Sequence, residues 1–230
     1  FDETADYDGL TIHEINDALY NFTEANPDFH LDLIGFDACL MATYEAAAHM
    51  QYYADFMVAS EELEPSLGWN YAWLNALGEN PALDAQGIGV AIADAYMEAC
   101  LDENPDDYLS MSVLYLPAMD YLVSTMETYA SYLSQALDAG QLSTFSRARQ
   151  RMYAFGDFDS ATSDMVDMMA LIDGTRTIAP QTADVLQTAY ERVVRYNVGT
   201  RKFDYLTGMS VYFPSGSYEG DGCQETIPRM

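Results

Sequence analysis

The sequence predicts an α/β fold built around a parallel strand, helix, strand unit, and three stretches carry that reading. Leu31-Asp32-Leu33-Ile34-Gly35-Phe36 is short and mostly apolar, as a strand buried between helices is. From Leu40 the composition turns to Leu-Met-Ala-Thr-Tyr-Glu-Ala-Ala-Ala, mostly strong helix formers, and a helix is expected to run to about Tyr53. Phe56-Met57-Val58-Ala59 then reads as a second apolar strand. Strands joined through a helix in this way pair in parallel, with a right-handed crossover.

Before this unit, Thr11 to Phe22 places Ile12, Ile15, Ala18, Leu19 and Phe22 on one helical face, with Thr11 and Glu14 as a capping box, so a helix is expected from about 11 to 24. Asn26-Pro27-Asp28 stops it. After the second strand comes Ser60-Glu61-Glu62-Leu63-Glu64-Pro65-Ser66-Leu67-Gly68-Trp69, an acidic loop with proline, glycine and an aromatic. Ligands of open α/β sheets bind beyond the carboxyl ends of the strands, where both this loop and Cys39 are expected. Further on, the pattern predicts a helix near 85 to 101, a break over Asp102 to Asp107, a strand near 110 to 116 and a long helix from about 117 to 138, ended by Gly140. Residues 141 to about 198 are mainly helical in pattern, and Met209-Ser210-Val211-Tyr212-Phe213 reads as a last strand returning to the sheet. The expected organisation is an α/β portion over 1–140 bearing Cys39, a small, mainly helical subdomain over 141–207, and a late strand with a polar tail over 208–230.

A chain of 230 residues, half of them hydrophobic, buries one sizeable core. The formal charge is −28, and no Lys or Arg occurs before Arg147. Such a surface repels phosphate backbones and anionic lipids and attracts cationic partners, which argues against nucleic-acid and membrane-surface binding. The longest apolar stretches, such as Leu109 to Met119, are broken well short of the roughly 20 residues that cross a bilayer, so no membrane span is expected. Phe1-Asp2-Glu3-Thr4 has no initiator methionine, basic n-region or apolar h-region, and any targeting peptide is expected upstream. Cys39, Cys100 and Cys223 are too few and too far apart for a disulfide framework or a zinc site, and no structural metal is expected. Asp6-Tyr7-Asp8-Gly9 and Asp102-Glu103-Asn104-Pro105-Asp106-Asp107 supply the hard oxygen ligands that calcium takes, but neither has EF-hand spacing, and solvated turns are the expectation.

Cys39 is expected at the first turn of the helix that follows the first strand. There the helix N-terminus favours a thiolate, and free N–H groups can hold a developing oxyanion. Asp37, two residues earlier in extended chain, points to the same side and opposes the thiolate. The pair makes sense together if Asp37 lies at the base of a pocket for a Lys or Arg side chain. The alternative is a packing cysteine that closes a core strand beside a helix-capping aspartate.

Leu33-Ile34-Gly35-Phe36-Asp37-Ala38-Cys39-Leu40-Met41, then Glu45-Ala46-Ala47, then Ala59-Ser60-Glu61-Glu62-Leu63-Glu64-Pro65-Ser66-Leu67-Gly68-Trp69 resembles the clostripain family of cysteine peptidases. Gly208-Met209-Ser210-Val211-Tyr212-Phe213-Pro214 is similar to that family's late strand, so the resemblance covers most of the chain and is weakest over 141–198. It implies a caspase-like α/β/α sandwich with a mainly parallel sheet, and peptide-bond cleavage after Arg or Lys. It further implies a secreted or cell-surface bacterial enzyme, cut by itself between histidine and cysteine into two chains that stay associated. By position, Cys39 matches the nucleophile, Asp37 the acid of the pocket for the basic side chain, and Glu61, Glu62 and Trp69 the loop beside it. Some relatives carry a further acid where this chain has Leu67. The family's catalytic histidine belongs to a His-Gly-Gly motif that this sequence lacks, which makes the chain a fragment without the N-terminal part of the sheet. An upstream segment, or light chain, of the same gene would then supply the base.

His13, His30 and His49 are poor substitutes. Two fall on expected helices, and His30 precedes the first strand, about 25 to 30 Å of extended chain from Cys39. Two functions therefore stand side by side. One is an endopeptidase in which Cys39 attacks the carbonyl after Arg or Lys. The other is a non-catalytic homologue that binds basic peptides or proteins through an acidic cleft.

Overall fold

The computed structural model describes residues 4, 9–156, 163–200 and 206–214. Helix α1 (Ile12–Ala25) opens with the expected capping box: the Thr11 hydroxyl accepts the Glu14 N–H at 3.2 Å, and the Glu14 carboxylate accepts the Thr11 N–H at 2.8 Å. The chain then forms β1 (Leu31–Gly35), α2 (Tyr44–Met50) and β2 (Ala54–Ala59), with β1 and β2 parallel in the register Leu33 opposite Phe56. Helices α3 (Trp73–Glu79) and α4 (Ala85–Glu103) follow, and α4 is capped by Asp84, whose carboxylate accepts the Gly87 N–H at 2.8 Å. Strand β3 (Ser110–Tyr115) leads through a 3-10 turn containing Pro117 into α5 (Met119–Asp138). Then come α6 (Leu142–Arg149), β4 (Met165–Asp167), α7 (Met168–Thr175), α8 (Pro180–Val193), β5 (Val194–Gly199) and β6 (Ser210–Tyr212).

The main sheet has the order β1-β2-β3-β5, with β1 parallel to β2 and β3 antiparallel to both of its neighbours. Three of the four strands thus run one way and β3 alone runs against them. Alternation along the central strands divides the core. Met57, Ala59 and Leu114 face a layer made by α2, α5, α7 and α8, while Val58, Met111 and Val113 face α4. The result is a sheet covered on both faces, an α/β/α sandwich. Gly89 lets α4 sit close to the sheet, since a Cβ there would lie 2.9 Å from Val113 Cγ1.

Two expectations change. Residues 194–199 end the mainly helical stretch as a strand of the main sheet, because Val194, Tyr196 and Val198 alternate in a way the preceding helix does not. The late strand does not return to that sheet: β6 pairs antiparallel with β4 in a separate two-stranded ribbon and touches the rest through a parallel bridge from Ser210 to Thr43. Arg149 ties α6 to this ribbon through a 2.9 Å ion pair with the buried Asp164 and a hydrogen bond to the Phe213 carbonyl. No helix among the described residues is long and apolar enough to cross a membrane.

Candidate active site

Cys39 follows β1 in a turn that does not yet enter a helix. Leu40 N–H donates to the Glu62 carbonyl at 3.1 Å and Ala42 N–H to that of Ser60 at 2.8 Å, while the Ala42 carbonyl accepts the Ser210 N–H at 2.8 Å. Residues 40–42 are therefore held between the β2 end and β6. Leu40 makes the turn at a φ of 59°, a costly conformation for a branched side chain. Its side chain packs where a Cβ on Gly156 would fall, 2.8 Å from Leu40 Cδ1.

This corrects the expected placement of the thiol. Helix α2 begins at Tyr44, five residues after Cys39, and its first N–H groups are engaged locally, the Ala46 N–H by the Thr43 hydroxyl at 2.9 Å. The helix field fades within the first turn and does not reach the sulfur. The loop after β2 holds it instead: the exposed Cys39 Sγ accepts the Glu64 N–H at 3.2 Å and lies 3.7 Å from the Glu64 carbonyl oxygen.

The same loop gathers two acids beside the thiol. Both Asp37 carboxylate oxygens accept the Trp69 N–H, at 3.1 and 3.2 Å, and Gly68 at a φ of 68° brings the chain alongside. The Trp69 indole N–H donates to Glu64 Oε2 at 3.1 Å, and its ring covers Gly35 so closely that a Cβ there would lie 2.7 Å from it. Trp69 thus clamps the end of β1, Asp37 and Glu64 together. Burial, and then the adjacent Asp37 charge, push the Glu64 carboxyl up to about 8. Its Oε1 is buried and accepts no hydrogen bond from any described residue. Two carboxyls this close cannot comfortably both ionise, and the raised Glu64 group keeps a proton beside Asp37 into the neutral range.

Glu61 and Glu62, expected to line the pocket, are turned inward. Glu61 is fully buried; its Oε2 accepts the Gly208 N–H at 2.9 Å, and its carboxyl abuts Asp167. Asp167 in turn accepts the Thr207 N–H and hydroxyl, each at 2.7 Å, and the Ala170 N–H at 2.9 Å. Glu62 accepts the Leu63 and Gly156 N–H groups at 2.9 Å and the Tyr153 hydroxyl at 2.9 Å. The two glutamates fasten the loop to the ribbon and to residues 153–156, so that the Glu64 main chain meets the thiol while its carboxyl turns to Trp69. Nothing in the spacing singled out Glu64 from its neighbours, since three acids in four residues look alike until their backbone directions are known.

Burial, then the Asp167 charge, raise the Glu61 carboxyl well above its ordinary range, and burial raises Asp167 despite its donors. Both bind protons more tightly folded than unfolded, so stability falls as pH rises upward from the ordinary carboxylate range of about 4. Glu61→Gln keeps an oxygen for Gly208 and removes one charge. Its melting temperature is expected to exceed that of the native protein at pH 8 and to vary less between pH 5 and 8. Thermal melts at the two pH values check this, and a native profile that does not fall contradicts the raised Glu61 and Asp167 carboxyls.

His30 pairs with Asp55 at 3.1 Å, at the amino ends of β1 and β2 and so at the sheet edge opposite Cys39. His13 and His49 lie on α1 and α2, and none of the three hydrogen-bonds to the thiol. Among the described residues no three His, Cys, Asp or Glu side chains converge to hold a metal ion. Of the Asp102–Asp107 stretch, Asp102 and Glu103 end α4, and Asn104 to Asp107 form an Asx turn with Asn104 bonded to Asp106 and Asp107. Cys223 and Asp6 to Asp8 lie outside the described residues.

A family model described as the clostripain family matches residues 1–218. The chain belongs to the clostripain family of cysteine peptidases. No curated protein matches it in a sequence comparison. Solved clostripain-type structures share its fold at low identity. A secreted C11 cysteine protease from Bacteroides thetaiotaomicron, in complex with an irreversible peptide inhibitor, is 18% identical with a TM-score of 0.64, over 95% of this chain and 60% of that one. A clostripain from B. thetaiotaomicron ATCC 29148, in complex with the peptide inhibitor BTN-VLTK-AOMK, is 13% identical with a TM-score of 0.60, over 89% and 86%. A B. fragilis cysteine protease is 17% identical with a TM-score of 0.57, over 90% and 86%.

Proposed function

We propose that this chain is the nucleophile-bearing portion of a cysteine endopeptidase that cleaves after Arg or Lys. The observation that carries the proposal is the exposed Cys39 thiol, held by the Glu64 main chain at the sheet edge where Trp69 clamps the Asp37 and Glu64 carboxyls together. The Cys39 sulfur forms the bond to the scissile carbonyl carbon as the leaving amine takes a proton, and water then releases the acyl group. The main-chain N–H of Cys39, which donates to no described residue, is the donor placed for the oxyanion. Asp37 and Glu64 receive the cationic side chain, while Glu61 and Glu62 fix the loop that presents Glu64. Two facts agree with the specificity: a relative is held by an inhibitor whose peptide ends in lysine, and 146 residues of this chain offer no Lys or Arg.

The base is a histidine from a segment upstream of this chain. Among the described strands β1 is an edge, its Leu33 and Ile34 are only half-buried, and α1 has no fully buried residue. An added strand beside β1 would cover that edge and bring the loop at its end towards Cys39. Residues 1–230 alone are therefore expected to hydrolyse Arg and Lys peptides at least about 10³-fold more slowly than the full-length gene product, which is the usual worth of a general base. Side-by-side assays check this, and equal rates contradict an external base. A secreted or cell-surface location in a bacterium is part of the same proposal. The histidines' distance from the thiol also favours a second reading, a non-catalytic homologue that binds basic peptides; it stands if the folded full-length protein binds Lys peptides and cleaves none.

A further inference from the structure

A cavity of about 490 Å³ opens along the loop that holds the thiol, lined by Leu63, Glu64, Pro65, Asp107, Tyr108 and Tyr153. It is of a size that accepts a ligand group, and its chemistry is mixed in a particular way. Leu63 and Pro65 offer apolar surface. Tyr108, 52% exposed, and Tyr153, 36% exposed, offer ring faces. Asp107 brings a carboxyl group, Glu62 and Glu64 complete the wall, and no Lys or Arg of the described chain lines the space.

These groups are set in place before any ligand arrives. Asn104 donates its side-chain amide to Asp107 Oδ1 and accepts the Asp107 N–H on its carbonyl at 3.1 Å and the Asp106 N–H on its side chain at 3.2 Å, so the turn that carries Asp107 is locked. Tyr153 is fixed by its hydroxyl bond to Glu62 and by an edge-on contact with Phe155 at 5.5 Å between ring centres. Glu64 joins the cavity to the chemistry, since its N–H holds Cys39 Sγ while its carboxyl shares Trp69 with Asp37.

We propose that this cavity is a second subsite, which takes another cationic side chain of the same peptide and gives the protein a preference for paired basic residues. The methylene stem of a Lys or Arg lies on Leu63 and Pro65, its charged head meets Asp107, and the Tyr108 and Tyr153 rings face the cation. A neutral side chain gains the apolar contact but leaves Asp107 uncompensated. The inference takes its substrate class from the peptidase reading, but its test is binding and does not require turnover.

The full-length protein with Cys39→Ala is titrated by calorimetry with acetylated, amidated Ala-Lys-Ala, Arg-Lys-Ala, Ala-Lys-Arg and Ala-Leu-Ala at about 0.1 M salt, where half-exposed pairs are still felt. One of the two dibasic peptides is expected to bind about tenfold more tightly than Ala-Lys-Ala, the combined worth of one partly screened ion pair and one cation–π contact. That advantage disappears in Asp107→Asn, which keeps an acceptor for Asn104, and shrinks in Tyr108→Ala. Equal affinity for the three Lys peptides, or an advantage that survives both substitutions, overturns the subsite. If Ala-Lys-Ala still binds better than Ala-Leu-Ala in that case, the Asp37 and Glu64 pocket stands without it. If lysine has no advantage over leucine, the Arg and Lys reading fails, while an Arg-dependent gain removed by Asp107→Asn still establishes the cavity as a cation site.

Discussion

Cys39→Ala is expected to lower hydrolysis of Arg and Lys peptides by the full-length protein by more than about 10⁴-fold, because the acyl-enzyme bond is proposed to form on its sulfur. The fold is expected to survive. The side chain is exposed, and among the described residues its sulfur contacts only the Glu64 main chain, an N–H acceptor that water replaces. The melting temperature therefore moves little, in keeping with the small effect of surface substitutions of about 0.5 kcal/mol or less. Steady-state rates and thermal melts on the same preparation check both halves. Residual activity within tenfold of the native protein assigns the chemistry elsewhere.

The second large effect falls on specificity. Asp37→Asn keeps an oxygen to accept the Trp69 N–H but removes the charge proposed to receive the substrate cation. A charge-assisted bond is worth about 1.5 to 3 kcal/mol, so kcat/KM for Arg and Lys peptides is expected to drop about 10- to 100-fold, mostly through KM where the contact is made equally in ground and transition states. Asp37→Ala does more damage, because it also releases Trp69 and with it the clamp on Glu64. Glu64 adds a pH dependence. With its carboxyl pushed up to about 8, it is mostly protonated at neutral pH, and a bound guanidinium or ammonium favours its ionisation. Affinity of the Cys39→Ala protein for Lys peptides therefore rises from pH 6 towards 8, and Glu64→Gln removes that rise. An Asp37→Asn protein with unchanged preference for basic over apolar peptides contradicts the pocket.

Much of the scaffold was legible because its signals are local. The Thr11 and Glu14 box, the apolar run 31–36 and the helix formers from Leu40 each act within a few residues, and each produced its element, the helix shortened at both ends to 44–50. Misreadings arose where distant chain decides the conformation. The start of α2 moved from 40 to 44 because residues 40–42 pair with 60–62 and with Ser210, partners that no window around Cys39 contains. Likewise β5 follows α8 without a break, and its assignment to the main sheet depends on β3, some eighty residues earlier in the chain. In the site, Cys39, Asp37 and Trp69 were named from a motif, and the structure groups them. Glu61 and Glu62 carried the same motif but point inward, because their carboxyls are needed by Gly208, Gly156 and Tyr153, all of them remote in sequence. Of the cavity residues, Asp107 was read only as part of an acidic turn and Tyr108 and Tyr153 carried no signal, since a turn acid and two tyrosines acquire meaning only from what lies opposite.

The most direct test is covalent. The full-length protein is incubated with irreversible thiol-reactive peptides that end in Lys, Arg, Leu or Asp, and the modified residue is located by peptide mapping. An adduct on Cys39 alone is expected, formed rapidly by the Lys and Arg probes and slowly by the other two. Labelling of Cys100 or Cys223 instead, or equal rates for all four probes, would contradict it.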